Sequence, residues 1–251
     1  MPCERAVEVL LGSGGFEPSM SVFALVHGSC QDAWVWHKVN PLLRSRGHKV
    51  VTMDLPLSDS GAGANEYADA VVSALGNLDE PPIVVGHSMA GMVIPVVASR
   101  RPVRLLVFLA AAIPKLGWSL FDRFCGEEHD MFQPDWPGKD PSRNRQHALD
   151  YLFHDCDRTL AEEAITHLRP QASSRVATET PPLEKWPAVP SQSIVCAEDR
   201  TLNPRWSRGA SRGLLGVEPI EIPGGHCPFL SRPDLLAAEL AGLAASERAW
   251  A

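Results

Sequence analysis

The sequence lacks long apolar runs, paired cysteines and an excess of positive charge. The stretch from Val7 to Leu11, which also contains Glu8, is too short for the core of a signal peptide or for a membrane span. The formal net charge of −7 argues against a dedicated binder of nucleic acid or of anionic membranes. None of the six cysteines forms a C-x-x-C pair, and no histidine spacing is typical of zinc. We therefore expect reduced thiols, a cytoplasmic location and no metal site.

Length and composition point to a single domain. Of the 251 residues, 45% are hydrophobic and 21% are charged, which is enough for a substantial core and a hydrated surface. Residues 1–19 contain a run of glycine and serine, and Met20 reads like a natural start just before the first apolar strand. We expect a disordered N-terminal extension over residues 1–19 and one domain over residues 20–251.

Strand-like and helix-like segments alternate along the chain. Short apolar runs predict strands near residues 22–26, 49–53, 82–85, 103–110, 193–197 and 217–222. Helical spacing predicts helices over residues 33–46, 65–78, 89–99 and 233–245. Parallel strands joined by crossover helices form a doubly wound sheet. We therefore predict an α/β fold with a doubly wound, mostly parallel sheet, whose ligands bind at the carboxyl ends of the strands.

A serine turn follows the third predicted strand. The pentapeptide Gly86-His87-Ser88-Met89-Ala90 matches the pattern G-x-S-x-[GA]. Such a turn holds the serine between a buried strand and a helix whose N-terminal N–H groups point back at it. Ala90 stands where the pattern usually has glycine, but one extra methyl group still lets the turn close. Ser88 is the predicted nucleophile.

Two later strand ends supply the partners that a serine nucleophile needs. One runs into Glu198-Asp199, and the other opens into Pro223-Gly224-Gly225-His226. His226 can take the serine proton, while an acid fixes the tautomer of the imidazole and stabilises its charged form. Side chains alternate at a strand end, so only one of the two acids can face His226. We favour Asp199, because Pro204 follows where a helix can restart.

The end of the first strand can complete the site. His27-Gly28-Ser29-Cys30 follows the apolar residues 22–26. A backbone N–H of such a loop, together with the N–H that follows the nucleophile, can bind the oxyanion of a tetrahedral intermediate. We assign these two donors to Ser29 and Met89, with Cys30 as the alternative to Ser29.

The strand and helix alternation breaks over residues 113–187. This predicted cap insertion is rich in aromatic residues, proline and glycine. It can roof an apolar substrate pocket, and the same aromatic residues can equally pack the insertion onto the sheet. The candidate substrate-binding residues are Trp118 and Phe121 in the insertion and Gly28, Cys30 and Cys227 beside the catalytic groups.

Two smaller patterns lie within the insertion. Thr159 and Glu162 match a capping box and predict a helix start. His154-Asp155-Cys156 contains ligand-like side chains, but on an insert loop such a run is more often surface or packing.

Together these motifs resemble the α/β-hydrolase superfamily, whose triads follow the order Ser, Asp, His. Residues 23–37, 107–110 and 194–199 are similar to the branch that contains plant methylesterases and hydroxynitrile lyases. In the lyases a threonine stands at the position of Gly28 and a lysine at the position of Cys227. The esterases have glycine at the first of these positions, as here. The resemblance therefore implies hydrolysis.

We expect a serine hydrolase that cleaves a small or medium apolar carboxylic ester through an acyl-enzyme, with a methyl ester or a lactone as candidates. The expected partner is this small-molecule substrate, not nucleic acid or a membrane. No cofactor is implied. A homodimer is possible on the sequence alone. A thioesterase or another tailoring hydrolase of secondary metabolism is the first alternative. A hydroxynitrile lyase or a non-catalytic ligand-binding protein is weaker, because the lysine is missing and all three triad members are present. An epoxide hydrolase or a dehalogenase would need aspartate in place of Ser88.

Overall fold

The computed structural model describes residues 20–246, so the extension predicted over residues 1–19 lies outside the described chain. Six parallel strands form one sheet in the order β2-β1-β3-β4-β5-β6. The strands are β1 (Val22–Val26), β2 (Lys49–Thr52), β3 (Ile83–His87), β4 (Leu105–Leu109), β5 (Ser191–Cys196) and β6 (Ile220–Ile222). The α/β fold with a doubly wound parallel sheet is confirmed.

Helices cross between the strands and cover both faces of the sheet. Those between the strands up to β4 are α1 (Val39–Ser45), α2 (Ala64–Leu75) and α3 (Ile94–Arg100). Between β4 and β5 lie α4 (Leu120–Cys125), α5 (Arg145–His147), α6 (Arg158–Thr166) and α7 (Arg175–Thr178). The later ones are α8 (Pro204–Ala210), α9 (Pro228–Ser231) and α10 (Pro233–Ser246). Within residues 20–246, no helix is both long and apolar enough to cross a membrane.

Alternate strand residues pack into two hydrophobic layers, one on each face of the sheet. In β1, Phe23 and Leu25 belong to the layer that includes residues of α1 and α10, whereas Ala24 and Val26 belong to the layer with α2 and α3. Because both faces are covered, every residue of β1 is buried. The central strands β3 and β4 are buried throughout as well, which explains why the middle of the sheet is encoded by largely apolar runs rather than by an alternating pattern.

The helix predicted to start at Met89 is interrupted. A 3-10 turn covers Ser88–Met92, and α3 begins only at Ile94. Pro95 has no N–H to donate to the carbonyl of Gly91, four residues earlier, so one continuous α-helix cannot run through this point.

The capping box predicted at Thr159 is wrong. Helix α6 begins at Arg158, and its N-cap is Asp157. The Asp157 carboxylate accepts hydrogen bonds from the N–H groups of Thr159 and Leu160, at 2.9 and 3.3 Å. An aspartate in this position satisfies N–H groups that the first turn leaves without partners.

Candidate active site

Ser88 lies in a tight turn at the end of β3. Its φ of +54° is in the left-handed region, where a residue other than glycine is strained and is often held for function. Two glycines give the turn its room. A Cβ atom on Gly28 would lie 2.8 Å from Cβ of Ser88, and one on Gly86 would lie 2.9 Å from the carbonyl oxygen of Ala90. Larger residues at either position would push the turn apart.

Three side chains from separate strand ends form a hydrogen-bonded relay. Nε2 of His226 lies 3.0 Å from Oγ of Ser88, and Nδ1 of His226 lies 2.8 Å from Oδ2 of Asp199. His226 and Asp199 are buried, with 2% and 3% of their surface exposed. In this geometry the imidazole can accept the serine proton while the carboxylate holds the tautomer with hydrogen on Nδ1.

The loop of residues 197–203 after β5, here the acid loop, places Asp199 rather than Glu198 against the relay. Glu198 is exposed. Oδ1 of Asp199 accepts hydrogen bonds from the N–H groups of Thr201 and of the residue after it, at 2.7 and 3.0 Å. Gln133 donates to the Asp199 carbonyl oxygen at 2.7 Å. These bonds leave Oδ2 for His226 and hold the Asp199 carboxylate in place before any substrate binds.

A second buried histidine, His87, lies behind the relay. Its Nε2 is 2.8 Å from the carbonyl oxygen of His226, and its Nδ1 is 3.1 Å from Oε1 of Gln31. Burial above all, and then the nearby His226 ring, keep the pKa of His87 well below its usual value. A neutral imidazole has one N–H, so His87 donates to one of these two oxygens at a time. It ties residues 223–227, here the histidine loop, to Gln31.

His27 shapes residues 27–31, here the first loop. Its Nδ1–H donates to the carbonyl of Gly28 at 2.9 Å, and its Nε2 accepts from the N–H of Leu55 at 3.0 Å. Nε2 can accept this bond only in the neutral ring, because both ring nitrogens of a charged imidazole are donors. Burial lowers the pKa of His27 to about 4, so the neutral form prevails near pH 7.

The residues assigned as oxyanion donors border the nucleophile. Ser29 and Met89 line the same cavity as Ser88 and His226. Cys30, the alternative donor, also lines it and has a φ of +61°. The N–H of Arg169 donates to the Cys30 carbonyl at 2.9 Å, so the segment that follows α6 fixes the first loop from outside.

The cavity beside Ser88 has a volume of about 380 Å³. This is the size of pockets that take small organic ligands. Apolar side chains from the segment between β4 and β5 form much of its wall: Leu120, Phe132, Trp136, Leu152 and Val176. Polar and charged side chains from the same segment also line it: Lys139, Asp140, Ser142 and Arg143.

Two of the predicted substrate-binding residues face solvent rather than the cavity. Trp118 and Phe121 are 49% and 55% exposed and lie outside the cavity lining. Successive residues of a helix point about 100° apart. Because Leu120 turns inward at the start of α4, Phe121 turns toward solvent. Trp118 lies in the turn before α4, where the Lys115 ammonium is 5.1 Å from its ring centre.

Cys227, predicted as a substrate contact, also lies outside the cavity lining. It is fully buried behind the cavity, where its Sγ accepts a hydrogen bond from Nε2 of Gln31 at 3.4 Å. Burial raises the pKa of Cys227 well above its usual value. Of the predicted contacts beside the catalytic groups, Cys30 lines the cavity and Gly28 packs against Ser88.

Several residues that hold the site carry no local sequence signal. Gln31, Gln133 and Arg169 act through hydrogen bonds to residues far away in the sequence. An isolated glutamine or arginine in a loop is otherwise unremarkable, so only their tertiary contacts reveal them. Within the described residues, no group of three or more His, Cys, Asp or Glu side chains is arranged to hold a metal ion.

Comparison with known families covers most of the chain. The model of the alpha/beta hydrolase family matches residues 23–239. The chain belongs to the alpha/beta hydrolase family. That match spans β1 to α10 and so includes the serine turn, the acid loop and the histidine loop.

Relatives of this alpha/beta hydrolase include plant esterases. Methylesterase 1 of Arabidopsis thaliana is 33% identical over 249 residues, which cover 85% of this chain and 92% of the relative. Salicylic acid-binding protein 2 of Nicotiana tabacum is 27% identical over 256 residues, covering 88% and 96%. The crystal structure of polyneuridine aldehyde esterase has a TM-score of 0.74 at 25% identity, covering 90% of this chain and 99% of that one. A pyrethroid hydrolase from Sphingobium faniae shares the fold, with a TM-score of 0.74 at 23% identity over 91% and 98% of the two chains.

Proposed function

We propose that this alpha/beta hydrolase is a serine carboxylesterase for a small or medium apolar ester. The observation that carries the proposal is the relay in which His226 lies 3.0 Å from Ser88 Oγ and 2.8 Å from Asp199 Oδ2. The relay opens into a cavity of about 380 Å³ with a largely apolar wall. The similarity to proteins named methylesterases supports the same reaction class.

The proposed reaction begins with attack of Ser88 Oγ on the ester carbonyl carbon while Nε2 of His226 takes the hydroxyl proton. The carbonyl oxygen becomes an oxyanion, for which the N–H groups of Ser29 and Met89 are the assigned donors. His226 then gives its proton to the leaving alcohol, and the acyl group stays on Ser88. Water, activated by His226, attacks this acyl-enzyme and releases the carboxylic acid.

The size of the cavity favours compact substrates. A methyl ester places little bulk on the alcohol side, next to His226, and leaves the apolar wall for the acyl group. A lactone is compact because its alcohol and acyl parts share one ring. Gly28 and Cys227 support hydrolysis over cyanohydrin cleavage. Gly28 lacks the threonine hydroxyl of the lyases, and Cys227 supplies no lysine cation for departing cyanide. We place this activity in the cytoplasm. This proposal rests on the six cysteines, none of which forms a C-x-x-C pair and which we expect to be reduced thiols.

The test combines active-site labelling with substrate profiling. A fluorophosphonate probe is expected to label wild-type protein at Ser88 and to leave Ser88→Ala unlabelled. Among p-nitrophenyl esters of increasing acyl length, kcat/KM is expected to be highest for short to medium acyl chains. Labelling at another residue, or no turnover of any oxyester alongside rapid turnover of thioesters, would contradict the proposal.

A further inference from the structure

Two consecutive residues of the segment between β4 and β5 reach both loops of the relay. Nε2–H of His154 donates to the carbonyl oxygen of Glu198 at 3.1 Å, directly before Asp199. Oδ2 of Asp155 accepts from the N–H of Gly225 at 2.8 Å, directly before His226. These contacts join residues 44 and 70 positions apart in the sequence. We propose that Asp155, with His154, is a positioning residue that holds the histidine loop and the acid loop in register.

The fit of this pair to the histidine loop is close. A Cβ atom on Gly225 would lie 2.5 Å from Nε2 of His154 and 2.8 Å from Oδ1 of Asp155. One on Gly224, which has a φ of +106°, would lie 2.8 Å from Oδ2 of Asp155. The two glycines before His226 therefore make room for His154 and Asp155. The N–H of Glu198 also donates to the Gly224 carbonyl at 3.0 Å, which closes a ring of three hydrogen bonds around the two loops.

His226 is consequently held through the backbone on both sides. On one side its own carbonyl faces the His87 ring at 2.8 Å. On the other side the preceding N–H, that of Gly225, is bound by Asp155. Removing the Asp155 contact frees one side of the histidine loop, and a displacement of about 1 Å at a reacting group can cost about 100-fold in rate.

The pair also connects the cavity wall to the relay. Leu152, which ends the π-helical turn Ala148–Leu152, lines the cavity. Only Phe153 separates Leu152 from His154 in the chain. Asp155 itself is not part of the cavity lining, so it acts on the reaction through the histidine loop and not through contact with substrate.

This inference rests on the proposed esterase function, and its test compares Asp155 with Asp157. Asp155→Ala is expected to lower kcat about 10- to 100-fold with little change in KM, because ground-state contacts in the cavity stay intact. Asp155→Asn is expected to recover most of kcat, because its amide oxygen can still accept from Gly225. Asp157→Ala removes the N-cap of α6, touches neither loop, and is expected to keep wild-type kcat.

A second readout follows the His226 ring without any substrate. The Nδ1 proton shared with Asp199 is expected to give a far-downfield proton NMR signal in wild type, Asp155→Asn and Asp157→Ala, and to weaken or broaden in Asp155→Ala. Wild-type kcat and an unchanged signal in Asp155→Ala would overturn the inference. Equal losses in Asp155→Ala and Asp155→Asn, or in Asp155→Ala and Asp157→Ala, would also overturn it. A wild type that turns over no ester refutes the esterase function instead, while the NMR signal still decides the role of Asp155.

Discussion

Oδ2 of Asp199 accepts a hydrogen bond from Nδ1 of His226 at 2.8 Å, although the adjacent Glu198 is exposed to solvent. The two acids differ by one position in the chain and by one methylene group. Their burial differs because the acid loop turns Asp199 toward its own N–H groups and Glu198 away from them. This pair of neighbours offers a matched comparison.

Asp199→Asn is expected to lower kcat by about 10⁴-fold, because an amide in this place favours the wrong imidazole tautomer. Glu198→Gln is the control and should keep the wild-type rate, because its side chain makes no contact with the relay. Steady-state hydrolysis of a p-nitrophenyl ester measures both. A large loss in Glu198→Gln with none in Asp199→Asn would reverse the assignment.

Acid is expected to destabilise the fold through His27. Its pKa is about 4 in the folded protein, against about 6.5 in an unfolded chain. Between these values the unfolded state binds a proton that the folded state does not. The free energy of unfolding therefore falls as the pH drops from about 6.5 to about 4, and His27 accounts for about 3 kcal/mol of this fall. Above about pH 6.5 the titration of His27 no longer affects the free energy of unfolding.

Urea unfolding across this pH range, for wild type and His27→Asn, checks the expectation. The asparagine amide can donate and accept in place of the ring but does not titrate. The pKa values of His48, His87 and His154 are also lowered, chiefly by burial, and their effects cancel in the difference. If both proteins lost stability equally on acidification, His27 would not be the cause.

Cys227→Lys is expected to destabilise the fold by about 3–5 kcal/mol, because it places an unpaired ammonium group in a fully buried site. Cys227→Ala keeps the site apolar and should cost far less. Chemical denaturation compares the two variants, and a cyanohydrin assay asks whether the lysine creates lyase activity. A Cys227→Lys protein as stable as wild type would show that this position can open toward the cavity.

Trp136→Ala is expected to shift the preference toward longer acyl chains, because it removes part of the cavity wall. Trp118→Ala is the matched control, since this exposed tryptophan of the same segment lies outside the lining. The ratio of kcat/KM for a long and a short p-nitrophenyl ester is the measurement. The same shift in both variants would point to a general loosening of the segment.

Local patterns predicted the sheet and the chemistry that follows its strands. The central strands could be found because both faces of the sheet are covered: Phe23 is buried on one face and Val84 on the other, so these strands are largely apolar runs. The serine turn could be found because its close backbone contacts require a glycine at position 86, which is part of the pattern G-x-S-x-[GA]. Breaks within helices were harder to predict from the sequence, because Pro95 interrupts a segment whose apolar spacing is typical of one continuous helix.

The directions of the side chains in the segment between β4 and β5 could not be predicted from the sequence. Trp118, Phe121 and Trp136 are all large aromatic residues in the sequence, yet of these three only Trp136 borders the cavity. The difference depends on where α4 begins and how its turn faces the sheet. His154 and Asp155 looked like surface residues because their partners are 44 and 70 positions away.

The amino-acid order is enough to predict which residue types follow each strand, and hence a serine, an acid and a histidine at one edge of a sheet. Which side chains face the cavity, and which residues hold the loops, depends on how the chain folds. The physical reason is that apolar periodicity and glycine requirements are local properties of the chain. Hydrogen bonds such as those of Gln31, Gln133 and Asp155 depend on the distance between loops that meet only after folding.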